Sequence, residues 1–334
     1  MSVATAPVEA HRPTAAEMLT TFATRNAWTL GLVGFLALLL VFTKLIQPNY
    51  GIPGIQGLAI SVLPLALAAV AQAIVVISGG LDLSIGSMMA LTSVTAATLM
   101  KDQPPEFAVV VVLGVLLLGI VIGAVNGVLA VLTRVPDIVV TLAMLFVWAG
   151  CALLVLRTPG GGAAQWLKDL VTGSLVSEWI PKAAVVLVVI VAIIWLPLRR
   201  SRWGLSIYAV GSDRLAAFRS GVPVRQTRVL AYMLTGLFAA LGGLALTAST
   251  GIGTPVPGPY TLMSVAAVVL GGVSLAGGRG GVFGPLVAVV ILQLIRTDMT
   301  FLNIDTNLAV VAQGVILIGV VMMGSLIQLR RNRA

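Results

Sequence analysis

Long apolar runs separated by short polar connections divide this chain. Ten such stretches stand out, at 27–46, 55–78, 81–100, 107–132, 137–156, 183–198, 228–249, 260–276, 282–295 and 308–327. Together they cover 199 of the 334 residues and hold only four charges: Lys44, Asp82, Asp137 and Arg228. About 20 apolar residues carry a helix across the hydrocarbon core of a bilayer. Most of the stretches reach that length, whereas 183–198, 260–276 and 282–295 are short. The pattern predicts an all-α, polytopic integral membrane protein of about ten transmembrane helices.

Two interruptions are glycine-based. Gly79-Gly80-Leu81-Asp82-Leu83-Ser84 separates the second stretch from the third, and Gly271 to Gly281 separates the eighth from the ninth. Six glycines among eleven residues do not sustain a regular helix. Aligning Gly79-Gly80 with Gly271-Gly272 also matches Val76 to Val268 and Leu83 to Leu275, a weak internal similarity that suggests a duplicated chain. The region 260–295 reads either as two crossings or as a re-entrant hairpin, with Arg279 cytoplasmic in the first case and buried in the second.

Composition sharpens the class. The chain is 59% hydrophobic and 9% charged, against about 25% charged residues in soluble domains. A soluble enzyme or nucleic-acid-binding domain is excluded as the body of the protein. The net charge of +9 invites a nucleic-acid partner, but its distribution is a topology signal. With the N-terminus inside, 14 Lys/Arg fall on the cytoplasmic side and six on the other, as the positive-inside rule requires. Both termini are then cytoplasmic. The expected layout is a cytoplasmic segment 1–26, a transmembrane domain 27–327 with a cytoplasmic loop at 199–228, and a basic tail 328–334. The first span reads as an uncleaved anchor, and the single cysteine, Cys151, as packing.

Two polar-side segments carry further signals. In the outer loop 157–182, Trp166 and Trp179 either meet a partner or sit at headgroup depth. In 199–228, Asp213 caps a short helix, Arg214 to Arg219, that stops at Ser220-Gly221. That helix either lies on the membrane surface or docks a cytoplasmic partner.

Glycine-interrupted helices at corresponding places in two halves point to a transporter's central site. Asp82 is the acid deepest in apolar sequence, followed by Ser84 and Ser87. An intramembrane acid is a functional candidate; the competing reading is a cap for the third span. Gln72, Asn126, Thr141 and Gln293 either line a passage for a hydroxylated solute or tie helices together. Trp148 either stacks on a sugar ring or anchors at the interface. His11 is the only histidine, which leaves no His-based metal site, triad or proton relay, and no phosphate-binding Gly-x-x-x-x-Gly-Lys-Ser/Thr motif occurs. No catalytic residues are expected: the chain reads as a transport protein, not an enzyme.

Three blocks resemble one family. SGGLDLSIGSMMALT (78–92), RWGLSIYAVGSDRLAAFRSGV (202–222) and AAVVLGGVSLAGGRGGVFG (266–284) are similar to the permease subunits of bacterial ABC sugar importers. The branch is that handling ribose, xylose, arabinose, galactose and autoinducer sugars, and the similarity covers roughly residues 50–325. The resemblance implies a multi-pass permease in the bacterial inner membrane, paired with a second copy or a paralogous permease. It also implies two cytoplasmic ATPase subunits, which bind the ATP and Mg, and a periplasmic sugar-binding protein. The permease itself would need no cofactor and no metal, and would meet membrane lipid but no nucleic acid. Carried onto this chain, the coupling helix falls on Asp213, Arg214, Ala216, Ala217, Arg219, Ser220 and Gly221. The passage would lie near Gln72, Asp82, Ser84, Ser87, Asn126, Gly271, Gly272 and Ser274. Leu215 stands where the family commonly has an acid, Asp137 where a second proline is frequent, and Tyr260 to Ser264 where acids often precede the third block. These departures suggest pairing with a different permease or an unusual solute. A nucleoside or riboflavin-type permease and a self-sufficient secondary transporter are the competing readings.

Overall fold

The computed structural model describes residues 27–304 apart from Arg134 and Pro257, and scattered positions between 308 and 322. The predicted segment 1–26, the tail 328–334 and most of the stretch 308–327 lie outside the described residues. Among the described residues twelve helices are delimited in order: α1 (Ala27–Ile46), α2 (Ile52–Ile77), α3 (Ile85–Met100), α4 (Phe107–Leu132), α5 (Asp137–Val155), α6 (Gln165–Val171), α7 (Lys182–Arg200), α8 (Arg202–Ser212), α9 (Arg214–Arg219), α10 (Val224–Thr250), α11 (Tyr260–Leu270) and α12 (Phe283–Phe301). Seven are long and apolar enough to cross a membrane, namely α1, α2, α4, α5, α7, α10 and α12, while α3 and α11 are shorter apolar helices. The protein is all-α and polytopic.

α2 and α10 form the centre. From Leu63 to Ile77, α2 is buried on every face, although Pro64 lies within it. An all-round apolar helix is expected only inside a bundle. α10 packs along α2, α3 and α4. Its contact with α4 depends on small residues: Gly119, Gly123 and Gly127 recur every fourth position and face Tyr232, Gly236 and Ala240 of α10. A β-carbon at Gly119 would lie 2.5 Å from the Gly236 carbonyl oxygen. In membranes, where apolar burial gives helices little mutual attraction, such close backbone approach drives association. The outward face of α4 repeats Val110, Leu113, Leu117 and Val121, each at least half exposed, a stripe suited to acyl chains.

Both glycine breaks begin with the same turn. After α2, Gly79 at φ +79° donates to the Val76 carbonyl and Gly80 to that of Val75. After α11, Gly272 at φ +79° donates to Val269 and Val273 to Val268. Each is a Schellman cap with the left-handed residue supplied by glycine. The equivalence is therefore Gly79 with Gly272 and Ser78 with Gly271, one residue away from the alignment suggested by the glycine pairs. The left-handed position, and not the first glycine, fixes the register.

The two breaks meet at one end of the bundle. Gly278 N–H donates to the Ile77 carbonyl at 2.9 Å, and Gly277 packs against Gly79 and Gly211. Arg279 is exposed there. At the opposite end the 157–182 loop folds onto helix ends. Gly160 and Gly253 exchange backbone hydrogen bonds, Gly162 donates to Ala97, and the Trp166 indole donates to the Pro105 carbonyl at 3.0 Å. Trp179 remains 61% exposed.

Candidate functional site

The first break turns inward from Gly79, and its polar groups are held from three helices. Asp82 is wholly buried; one carboxylate oxygen accepts from Ser84 N at 2.8 Å and Ser84 Oγ at 2.6 Å, just ahead of α3. Asn126 of α4 donates to Ser84 Oγ at 2.8 Å and reaches the other Asp82 oxygen at 3.4 Å. The Asn126 oxygen accepts from the Trp148 indole of α5 at 3.0 Å. Thr141 Oγ1, also on α5, accepts from Leu83 N at 3.1 Å and lies 3.2 Å from the Leu81 carbonyl. A buried polar cluster must be satisfied internally in lipid, and this one closes on itself. Asp82 closes a turn on the Ser84 N–H ahead of α3, whose N-cap is Ser84, and ties that turn to α4 through Asn126. Trp148 turns inward onto Asn126, and not toward the interface.

Ser87 donates to the Ser84 carbonyl at 2.8 Å and is 8% exposed. Gln72, about two turns before the break, is fully buried, and neither its side-chain nitrogen nor its oxygen has a partner among the described residues. Gly271, Gly272 and Ser274 lie in the second break, away from this cluster. Gly271 packs on Gly284 and Pro285, Gly272 lies over the Trp28 ring, and Ser274 N donates to the Arg279 carbonyl at 3.1 Å. The structure thus brings Asp82, Ser84, Ser87 and Asn126 together, and leaves Gln72 and the second break outside the cluster.

A second set of contacts surrounds Gly79. Asp213 Oδ1 accepts from Leu215 N and Ala216 N at 2.8 and 3.0 Å, which caps α9 as its sequence predicts. Gly221 N–H and Val222 N–H close the helix on Phe218 and Ala217. Ala217 is buried, while Leu215 and Phe218 are 58% and 69% exposed. Arg214 reaches from α9 to the Gly79 carbonyl at 2.7 Å. Tyr208 of α8 donates to the Gly280 carbonyl at 2.8 Å. The α8–α9 pair therefore grips both breaks.

Sequence reasoning named Asp137 and Arg228 separately. They form an ion pair between α5 and α10 at 2.5 Å. Two opposite charges among only four in the apolar stretches are a pairing signal that was available. Together with Gly79, Leu81, Arg214 and Leu275 they line a cavity of about 630 Å³ between the breaks and α9.

The chain is thus an all-α bundle whose two glycine breaks are gripped at one end by the short α8–α9 pair. The chain matches, over residues 54–321, the family described as the permease component of branched-chain amino acid transport systems, and it belongs to that family. It is 31% identical to the ribose import permease protein RbsC of Bacillus subtilis (strain 168) over 292 residues, 86% of this chain and 90% of that protein. It is 32% identical to the fructose import permease protein FrcC of Rhizobium meliloti over 261 residues, 74% and 71% of the two chains. It is 27% identical to the autoinducer 2 import system permease protein LsrD of Escherichia coli O9:H4 (strain HS) over 325 residues, 92% and 95%. No solved structure matches it. The chain is the permease subunit of an ABC importer, a multi-pass inner-membrane transport component and not an enzyme.

Proposed function

We propose that this chain carries a monosaccharide into the bacterial cytoplasm, with ribose and fructose as the first solutes to test. The relatives named for ribose, fructose and autoinducer 2 support that solute class. Its partners in this reading are a second permease copy or a paralogue, two cytoplasmic ATPases that bind ATP and Mg, and a periplasmic sugar-binding protein. The chain itself hydrolyses nothing.

The observation that carries the reading is α9. It presents Leu215 and Phe218 to solvent while Arg214 holds the first break. With both termini inside, α9 is cytoplasmic. An apolar knob on a basic surface docks in a groove of the ATPase, and the exposed Leu215 takes the place of the family's acid without loss of a contact surface. ATP binding closes the ATPases, moves α9, and shifts the balance of inward- and outward-open states by its differential affinity for them. Arg214 and the α8 contacts pass that displacement to the breaks. Asp82, Ser84, Ser87 and Asn126 keep the first break intact beside the passage.

Affinity purification of the chain from native membranes, followed by ATP-driven uptake of labelled ribose and fructose into proteoliposomes, tests the reading. Phe218→Asp, which removes the more exposed apolar side chain of α9, should abolish ATPase co-purification while leaving the permease folded. Recovery without an ATPase, together with solute movement driven by an ion gradient alone, overturns it.

A further inference from the structure

The segment between α10 and α11 does not cross the membrane as a helix. Its course is fixed by contacts with α3, which begins at Ile85 at the inner polar cluster and ends at Met100. Gly253 packs on Val94 and Ala97. Thr254 N lies 3.4 Å from Ser93 Oγ, and Thr261 Oγ1 accepts from Gly86 N at 2.9 Å. From Gly253 to Thr261 the chain therefore descends the height of about eleven α3 residues, or roughly 16 Å. α11 has only 11 residues and ends where the Trp28 indole bonds the Leu270 carbonyl. Tyr260 thus stands about halfway through a hydrocarbon core of about 30 Å. Non-helical backbone at that depth persists only inside protein or beside a water-filled cavity.

A cavity of about 460 Å³ lies there, between α2, the end of α10, and α12. Tyr260, Gln293, Arg296, Thr297 and Thr300 line one side of it with polar groups, and Ser61, Ser249 and Thr250 add hydroxyls. Gln293 is 8% exposed and donates to the Ser61 carbonyl at 2.9 Å, which leaves its amide oxygen without a partner among the described residues. Thr297 and Thr300 donate to helix carbonyls one turn back and keep lone pairs for an incoming donor. Arg296 is exposed, and its guanidinium makes no hydrogen bond or ion pair among the described residues. An unpaired guanidinium in a spanning helix is costly against lipid, and such groups mark solute pathways.

We propose that this well, open at the end opposite α9, is a subsite for a polyhydroxylated solute. Each sugar hydroxyl both donates and accepts. The lining offers donors in Arg296 and the Tyr260 hydroxyl, and acceptors in Gln293 and the threonine oxygens. A carboxylate would use only the donors, and an apolar solute none of them. In the importer proposed above, on which the choice of solute rests, the well receives sugar from the binding protein before it reaches the breaks.

Two readouts test this. With the single cysteine removed as Cys151→Ser, Thr297→Cys should react with a membrane-impermeant maleimide added outside, whereas Leu38→Cys on the apolar face of α1 should not. In proteoliposomes holding the permease, ATPase and binding protein, Arg296→Gln and Tyr260→Phe should each raise half-saturating ribose roughly tenfold, the loss of about one hydrogen bond. An unreactive Thr297→Cys overturns the well. Unchanged half-saturation in both variants of a transporting complex overturns the sugar assignment. A wild-type complex that moves neither ribose nor fructose with ATP overturns the importer reading and the sugar assignment with it, while the labelling still decides the well.

Discussion

Between Gly79 and Ser84 the chain is fastened by side chains: Asp82, Ser84, Asn126 and Trp148 bond one another, and Thr141 accepts from the Leu83 N–H. Between Gly271 and Gly281 it is fastened by the lack of them. Gly271 meets Gly284, and Gly277 and Gly278 meet Gly211 and Ser212, at distances that no β-carbon permits. The two segments begin with the same Schellman turn and both touch α8 at Gly211, yet one is buried and polar and the other lies near the surface. A break inside lipid needs internal partners for every polar group, whereas a break at the membrane edge has water for that purpose and needs only close approach. Depth dictates which means is used.

Gly211 is the point where both breaks touch α8, so it breaks the comparison most severely. A β-carbon there would overlap the Ile77 carbonyl oxygen and lie 2.6 Å from Gly278 N. Both are backbone atoms in fixed turns and have nowhere to go. Gly211→Val should cost about 3 kcal/mol, abolish uptake, and lower the detergent-solubilised yield. Size-exclusion profiles and thermal denaturation measure this. A variant of wild-type Tm would mean that the breaks do not depend on this contact.

The next test separates the two kinds of fastening. Asn126→Leu leaves Ser84, Trp148 and the second Asp82 oxygen without their partner in a buried site. The expected loss is about 2–4 kcal/mol. Ser274→Ala removes a half-buried hydroxyl that makes no tie to another helix among the described residues, where only its backbone bonds Arg279 and Gly277. It should shift Tm by under about 2 °C. Equal losses in the two variants would erase the distinction between the breaks.

The sequence patterns reveal much of this fold but little of its wiring. Apolar stretches located the long helices to within a few residues, because lipid demands about 20 apolar residues whatever their neighbours. Asp213 and Gly221 marked α9 because capping is a local matter. Hydrogen bonds between distant segments leave weaker traces. Thr141 and Trp148 are ordinary span residues until α5 lies beside the first break. The true register of the two breaks depends on which glycine takes the left-handed conformation, and two adjacent glycines do not disclose that. The Gly119, Gly123, Gly127 series was visible at four-residue spacing and identifies the α4–α10 contact.

The smallest structural effect carries the most mechanistic weight. Arg214 is exposed, and its bond to the Gly79 carbonyl is the link from α9 to the first break. Because solvent competes for that guanidinium, Arg214→Gln should cost about 1 kcal/mol or less and leave the fold intact. The second break keeps its own link to α8 through Tyr208 and Gly280, so α9 would then move one break without the other. Solute carried per ATP hydrolysed should fall several-fold while ATP hydrolysis continues. Arg202→Gln, which removes a similar charge at the start of α8, controls for loss of basic surface and should keep the ratio. If the two variants lower it equally, the basic surface matters and the specific bond does not; if neither does, displacement reaches the breaks through α8 alone.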